Sequence, residues 1–354
     1  MSKRSACALT LAVLATLPAF AQTGAPAAAE PSPAPAVQAT APDTDGAPAL
    51  GEAAPAQIVV SGRRPGPGVW KVAKGEHVMW VFGTYSPLPH KMEWDAARIE
   101  RLVAGSQEVL TPPQAQGHVG FFRGVTLLPS LIGIKKNPDG AQLRDVLPAE
   151  VYARWSDLKA KYDFQDEDVE RYRPIFAGSE LMRAAMKKNG LAFSGQVVDT
   201  IEGIAKKNRV KLSKSGFDYD MSDPRKAIKE FKQAQLDDVA CFGKTLDTLD
   251  QDIDAMRARA NAWANGNIAE IRGIDFAGRV DACNDAVLNS SVVRNTPELQ
   301  DIPNRLREAW IKHAETALAN NASTFAILQM KDILGPKSYL AALQAKGYTV
   351  ESPR

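Results

Sequence analysis

Two stretches of the chain share one hydrophobic pattern. His77-Val-Met-Trp-Val-Phe-Gly-Thr84 is an apolar run that stops on Gly-Thr, followed by Tyr85-Ser86-Pro87. Thr324-Phe-Ala-Ile-Leu-Gln-Met-Lys331-Asp332 has the same form near the C-terminus, followed by Tyr339, Leu340 and Leu343 at helical spacing and by Gly347-Tyr-Thr-Val350. Each run reads as a buried strand that delivers polar residues to its end, where α/β sheets place ligands. The two ends of the domain are expected to return to one sheet, with a cleft between Ser86 and Asp332.

Between them the periodicity is mostly helical. Val69–Val72 and His77–Phe82 flank Gly75-Glu76 and predict a hairpin. Ile58–Val60 is a further strand, Glu93–Ala104 a helix, and Glu108–Leu110 a strand that stops at Pro112-Pro113. Helices are expected over Tyr152–Lys161, Pro174–Lys188 and Gly195–Lys206, followed by Val210-Lys-Leu212. Ser222-Asp223-Pro224 is a helix start, with a cap residue before proline at the first helical position. From Val239 onward, apolar residues at 239, 242, 246, 249, 253, 256, 260 and 263 make a stripe for packing on a partner helix. Thr296-Pro297-Glu298 opens another helical stretch, which Pro303 divides before Arg305–Ala319. Val119 to Ile134 is the longest apolar stretch after the leader. Arg123 and Pro129 interrupt it, so it reads as a core segment rather than a membrane span. The fold class is α/β (α+β): a central mixed sheet of N- and C-terminal strands, covered by helices, with a long helical insert.

Residues 1–21 carry Lys3 and Arg4, an apolar run from about Ala6 to Leu17, and Ala19-Phe20-Ala21. This is the layout of a secretory signal peptide cleaved near Ala21, and it implies a periplasmic or secreted protein with no transmembrane anchor. Residues 22–57 are mostly Ala, Pro, Gly, Thr and Gln and are expected to form a disordered linker. The folded domain then spans 58–354. Of the 43 Lys and Arg, two lie in the leader, which leaves 41 against 41 Asp and Glu. A chain so balanced has no nucleic-acid footprint. Cys241 and Cys283 remain after export, and an even pair in an oxidising compartment predicts a disulfide.

Chemistry is sparse. Gly243-Lys244-Thr245 ends like a phosphate loop, but Asp238 stands where the first glycine is needed and the pattern around it is helical. His77, His90, His118 and His313 show no metal-pair spacing, so no metal ligands are assigned and any cofactor is unknown. Asp332 could act as a base or bind a hard metal, with Ser86 orienting a water or substrate. Equally, Ser86-Pro87 could start a turn and Asp332 could cap a helix near Gly335.

Taken as a set, these pieces resemble the TraB/GumN family of exported bacterial proteins. The likeness rests on Gly66-Pro-Gly-Val-Trp-Lys-Val72, Trp80-Val-Phe-Gly-Thr84, Pro129-Ser-Leu131, Leu147-Pro-x-x-Tyr-x-x-Trp155, Arg173-Pro174, Ala255–Trp263 and Phe325…Gly335…Gly347-Tyr-Thr-Val350. The resemblance implies a Tiki-like metalloprotease fold, in which two Gly-x-x-His motifs at the ends of the signature strands hold a divalent metal, helped by an acidic residue on the next strand. Here the first motif reads Gly83-Thr84-Tyr85-Ser86 and the second Gln329-Met330-Lys331-Asp332, so both histidines are replaced. Thr111-Pro112-Pro113 occupies the place of the acidic residue. The expectation is a catalytically degenerate binding or scaffolding module of the envelope. Ser86 and Asp332 would be its central residues, Gly83, Thr84, Tyr85 and Lys331 would line its cleft, and an envelope protein or peptide would be its partner. The alternative is a metal-dependent hydrolase rewired around Asp332 with His90 or Glu108. An envelope or exopolysaccharide role is suggested by the family name alone.

Overall fold

Gly75, at a φ of +61°, reverses the chain between strands β1 (Val69–Lys74) and β2 (His77–Thr84). A residue without Cβ adopts that conformation at little cost. The computed structural model describes residues 66–354 except 91, 120, 194, 235, 252, 273–276, 336 and 354, and except the side chains of 121–125, 251 and 277–281. After β3 (Leu88–Pro89) come α1 (Ala97–Ala104), β4 (Glu108–Leu110) and β5 (Ala115–His118). Helices α2 (Phe121–Leu131), α3 (Leu143–Val146), α4 (Ala149–Lys161) and α5 (Pro174–Lys188) follow. Next are β6 (Leu191–Ala192), α6 (Gln196–Lys207), β7 (Lys211–Ser213) and β8 (Phe217–Asp220). A helical region then runs through α7 (Pro224–Gln233), α8 (Val239–Gln251), α9 (Ile253–Ala264) and α10 (Ile268–Arg272). It continues with α11 (Ala277–Leu288), α12 (Ser291–Asn295) and α13 (Ile302–Asn320). The chain closes with β9 (Ser323–Gln329), α14 (Met330–Leu334), α15 (Tyr339–Ala345) and β10 (Thr349–Glu351).

The main sheet has the order β10-β1-β2-β9-β4-β7, so the N- and C-terminal strands do meet in one sheet. Strands β2, β9, β4 and β7 are mutually parallel, and β1 is antiparallel to both its neighbours. Thr324 to Leu328 of β9 are buried without alternation, as a parallel strand covered on both faces requires. Helices α1 and α6 pack together, with Lys207 Nζ 3.2 Å from Glu100, on one face. Helices α13 and α15 pack together, with Lys346 Nζ 3.1 Å from Glu315, on the other. The crossover β2-α1-β4 runs one way along the sheet and β9-α15-β10 the other, so right-handed connections send the chain from β2 toward the α1 face and from β9 toward the opposite, α15 face. Adjacent parallel strands whose exits diverge form a topological switch point, where α/β sheets open a crevice.

The apolar stripe from 239 to 263 is real but serves two cores. Phe242, Leu246, Leu249 and Met256 pack with Trp155, Leu181 and Met186 of the helical layer. Ala260 and Trp263 join the sheet core instead. Cys241 of α8 and Cys283 of α11 are joined as a disulfide, as expected. Arg173, 2% exposed, ties the segment before α5 to the last turn of α7. Its guanidinium donates to the carbonyls of Lys136, Phe231 and Lys232 and lies 4.8 Å from the Phe231 ring. Asp238, equally buried, accepts the N–H of Ile175 at 2.8 Å and so caps α5 from a distant part of the chain.

Several sequence expectations shift. The helix expected from Glu93 starts at Ala97, because the Asp95 carboxylate accepts the Ala97 N–H at 2.9 Å and Trp94 turns toward Phe82. Pro303 does not divide a helix. It sits in the first turn of α13, where a missing N–H costs nothing. The Val119–Ile134 segment is only partly core: α2 buries Leu127 but leaves Leu128 and Ile132 exposed. The last strand stops at Gln329, and Asp332 lies in the helical turn α14. The short ladders β3-β6, of two residue pairs, and β5-β8, of four, had no periodic signal. His118 ends β5. The leader, the linker and the Ile58–Val60 strand lie outside the described residues. No described helix is long and apolar enough to cross a membrane.

Burial pushes the Asp238 carboxyl up to about 6, against the opposing pull of the Ile175 N–H and the Arg173 charge. A folded chain with the higher pKa holds the proton more tightly than the unfolded chain. This group's contribution is therefore full below about pH 4 and is lost as pH rises through about 6, roughly 2–3 kcal/mol in all. Urea denaturation of Asp238→Asn against the parent at several pH values should show that slope flattened in the variant.

Candidate functional site

The crevice is built by the last residues of β2 and β9. Parallel pairing places Thr84 beside Gln329, so Tyr85-Ser86 and Met330–Asp332 leave the sheet side by side. The Thr84 hydroxyl donates to the Leu328 carbonyl at 3.1 Å and ties the two strands at that edge. Trp263 of α9 donates its indole N–H to the Gly83 carbonyl at 2.7 Å. It stands against Phe82 and Trp94, with ring centroids 6.1 and 6.0 Å away. Gly83 is required by closeness: a Cβ there would come within 2.7 Å of Met330 Sδ and 3.1 Å of the Trp70 ring. Met330, buried, thus fills the floor beneath the crevice.

The proposed cleft residues fall around this floor in different settings. Ser86 is exposed and precedes a cis peptide to Pro87, while Tyr85 packs partly into the sheet core. Lys331 is exposed, and Asp332 is partly buried. Burial holds the Asp332 carboxyl above the usual carboxylate range, although the neighbouring Lys331 charge works against it. Burial and then the charge of Asp332 push the Tyr339 phenol up. Asp332 does not cap the helix after Gly335. That role belongs to Ser338, whose hydroxyl accepts the Ala341 N–H at 3.2 Å. Among the described residues no hydrogen bond joins Ser86 to Asp332.

The other candidates lie elsewhere. Glu108 begins β4, at the opposite edge of the sheet from the crevice. It accepts from Lys211 Nζ at 2.8 Å, Asn321 Nδ2 at 2.8 Å and the Ser213 hydroxyl. Burial alone would raise its pKa, but these bonds outweigh burial and leave it below the usual range. His90 is exposed beside β3, with its backbone N–H on the Gly190 carbonyl. His77 and His313 bond main-chain carbonyls of Asn321 and Gly216, and His118 pairs with Asp218 at 3.2 Å.

This donor set does not fit the divalent metal that the resemblance implies. A hydroxyl and one partly buried carboxyl with a raised pKa, beside a lysine, are poor partners for a transition ion. Among the described residues no three His, Cys, Asp or Glu side chains gather as a metal site.

A second opening lies on the same carboxyl edge, two strands away. A cavity of about 220 Å3 sits at the ends of β4 and β7, among Thr111, Gln114, Gln116, Lys214, Ser215, Phe217 and His313. Sequence reading missed it because its walls come from three separate segments. The one signal was Ser213-Lys-Ser-Gly216, a turn of small polar residues directly after a strand.

Gly83→Ala should destabilise the chain by about 1–3 kcal/mol through the clash with Met330. Adding Met330→Ala should make the two costs less than additive, because the removed thioether is what the new methyl meets. Denaturant midpoints of the parent, both single variants and the double variant measure that coupling.

Comparison with known proteins places this geometry in a family. No curated protein and no solved structure matches the chain. A sequence profile described as the TraB/PrgY/gumN family matches residues 68–352, from the strand before the Gly75 turn to the closing strand. That span holds both strands of the switch point and nearly all of the described fold, and the chain belongs to the TraB/PrgY/gumN family.

Proposed function

We propose that this protein is exported and works as a catalytically degenerate binding or scaffolding module of the cell envelope. In this reading the leader of residues 1–21 is removed, residues 22–57 tether the domain, and the domain itself fills the rest of the chain. Export is supported by the layout of the leader and by the Cys241–Cys283 disulfide, which belongs to oxidising compartments. The observation that carries the loss of catalysis is the content of the switch point. Ser86, Gln329 and Asp332 stand at the motif positions, and the Met330 thioether packs beneath Gly83. The crevice keeps the form of a binding site, but its motif positions hold no imidazole, and among the described residues no cluster of acids gathers there.

One observation favours the alternative of a hydrolase rewired around Asp332. A partly buried carboxyl with a raised pKa at a switch point is the kind of group that general acid–base chemistry uses. Glu108 does not support it, being held at the other edge of the sheet by three partners.

Metal analysis of the chain, exported through its own leader and purified without chelator, separates the two. The expected result is far less than one Mn, Co, Zn, Fe or Ca per chain, with no uptake on addition. The background peptidase rate should be the same in Asp332→Ala. Near-unit metal content that disappears in Asp332→Ala would overturn the degenerate reading.

A further inference from the structure

We propose that the cavity at the carboxyl ends of β4 and β7 binds a small organic carboxylate. The proposal rests on the binding-module reading and gives it a seat and a ligand class. The cavity lies at the sheet edge where parallel α/β proteins bind ligands, but apart from the crevice that Met330 underlies. Its walls are preformed. The Ser215 hydroxyl donates to the Thr111 carbonyl at 2.5 Å, and the Phe217 N–H donates to the Gln114 carbonyl at 3.1 Å. The two loops touch so closely that a Cβ on Gly216 would lie 1.9 Å from the Gln114 carbonyl oxygen.

The hydrogen-bond inventory decides the ligand. Lys214 donates to Gln116 Oε1 at 2.7 Å, and the Gln116 amide NH2 donates to Gln114 Oε1 at 3.4 Å. His313 Nε2 must be the donor in its 3.1 Å bond to the Gly216 carbonyl, since a carbonyl only accepts. Asp218, the one carboxylate on the wall, faces His118 Nε2 at 3.2 Å. Each of these acceptors already takes one bond, while the donors of Lys214 and Gln114 have capacity to spare. An ammonium carries three N–H groups, and the Gln114 amide has two more. Among the described residues no carboxylate pairs with Lys214. With Asp218 turned to His118, Lys214 is left as a cation that no acid pairs, beside spare amide donors, which suits an anionic acceptor, and about 220 Å3 suits an acid of several non-hydrogen atoms.

The test is an amide NMR titration of the exported chain. N-acetylglycine and glucuronate serve as carboxylates from a peptide-like and a sugar source, and N-acetylglycinamide and glucose are their uncharged counterparts. Saturable shifts at Ser215 and Gly216 with either carboxylate, and none with its counterpart, are expected. Lys214→Met should weaken binding about tenfold or more, and Lys214→Arg should retain most of it. Equal response to the uncharged compounds, shifts confined to Gln329–Asp332, or unchanged binding in Lys214→Met would overturn the proposal. Failure of every carboxylate on a metal-free chain would sink this proposal and leave the binding-module reading standing. Metal in the chain would sink that reading, while the titration would still decide the cavity.

Discussion

The parallel pairing of β2 with β9 holds the molecule together across 238 residues or more of intervening chain, from Thr84 to Ser323 and beyond. It closes a loop exceeded only by the one between β1 and β10, and its entropic cost must be met by burial. Both strands supply that burial on two faces: Met79, Val81 and Phe82 on one strand, Phe325, Ala326, Ile327 and Leu328 on the other, all at 0% exposure. The candidate crevice on the carboxyl edge follows from this pairing. It puts Thr84 next to Gln329, fixes Gly83 over Met330, and sends the two exits to opposite faces of the sheet.

The helical layer depends on different physics. Its buried charges are held by main-chain groups rather than by apolar contact alone: Arg173 on three carbonyls, Asp238 on the first turn of α5. Breaking one side of such an arrangement leaves a buried polar group unpaired, which costs more than the net worth of the bond. The α9 helix, whose ends enter two cores, links this layer to the sheet, and the disulfide ties α8 to α11 within the helical part.

Much of this was legible in the sequence where the signal was local and periodic. The hairpin around Gly75, the strand Glu108–Leu110, the helix Pro174–Lys188 and the cap at Asp223 were all marked by alternation, by cap residues or by proline. The short ladders were not, because two to four residues carry no period and are held by distant partners. The end of β9 was misplaced for the same kind of reason. Met330 and Ile333 continue the apolar run, but they are buried from a helical turn rather than from a strand. At the site, the sequence could name Ser86 and Asp332 through motif positions, yet it could not show that the Thr84 hydroxyl is spent on Leu328 or that Glu108 is committed to Lys211, Ser213 and Asn321. The cavity at Lys214 depends on residues about 100 positions apart, such as Thr111 and Ser215, and no spacing rule reaches that far.

The proposed loss of catalysis requires Asp332 to be a desolvated carboxyl rather than a metal ligand. A metal ion would reverse the local electrostatics and drag a coordinating carboxylate to low pKa, whereas burial alone raises it. The most direct measurement is a carbon-13 NMR titration of the Asp332 carboxyl, with and without added zinc or magnesium, both diamagnetic. The account predicts a midpoint above the ordinary carboxylate range that is unchanged by the ions. A midpoint depressed by a stoichiometric amount of ion would contradict it.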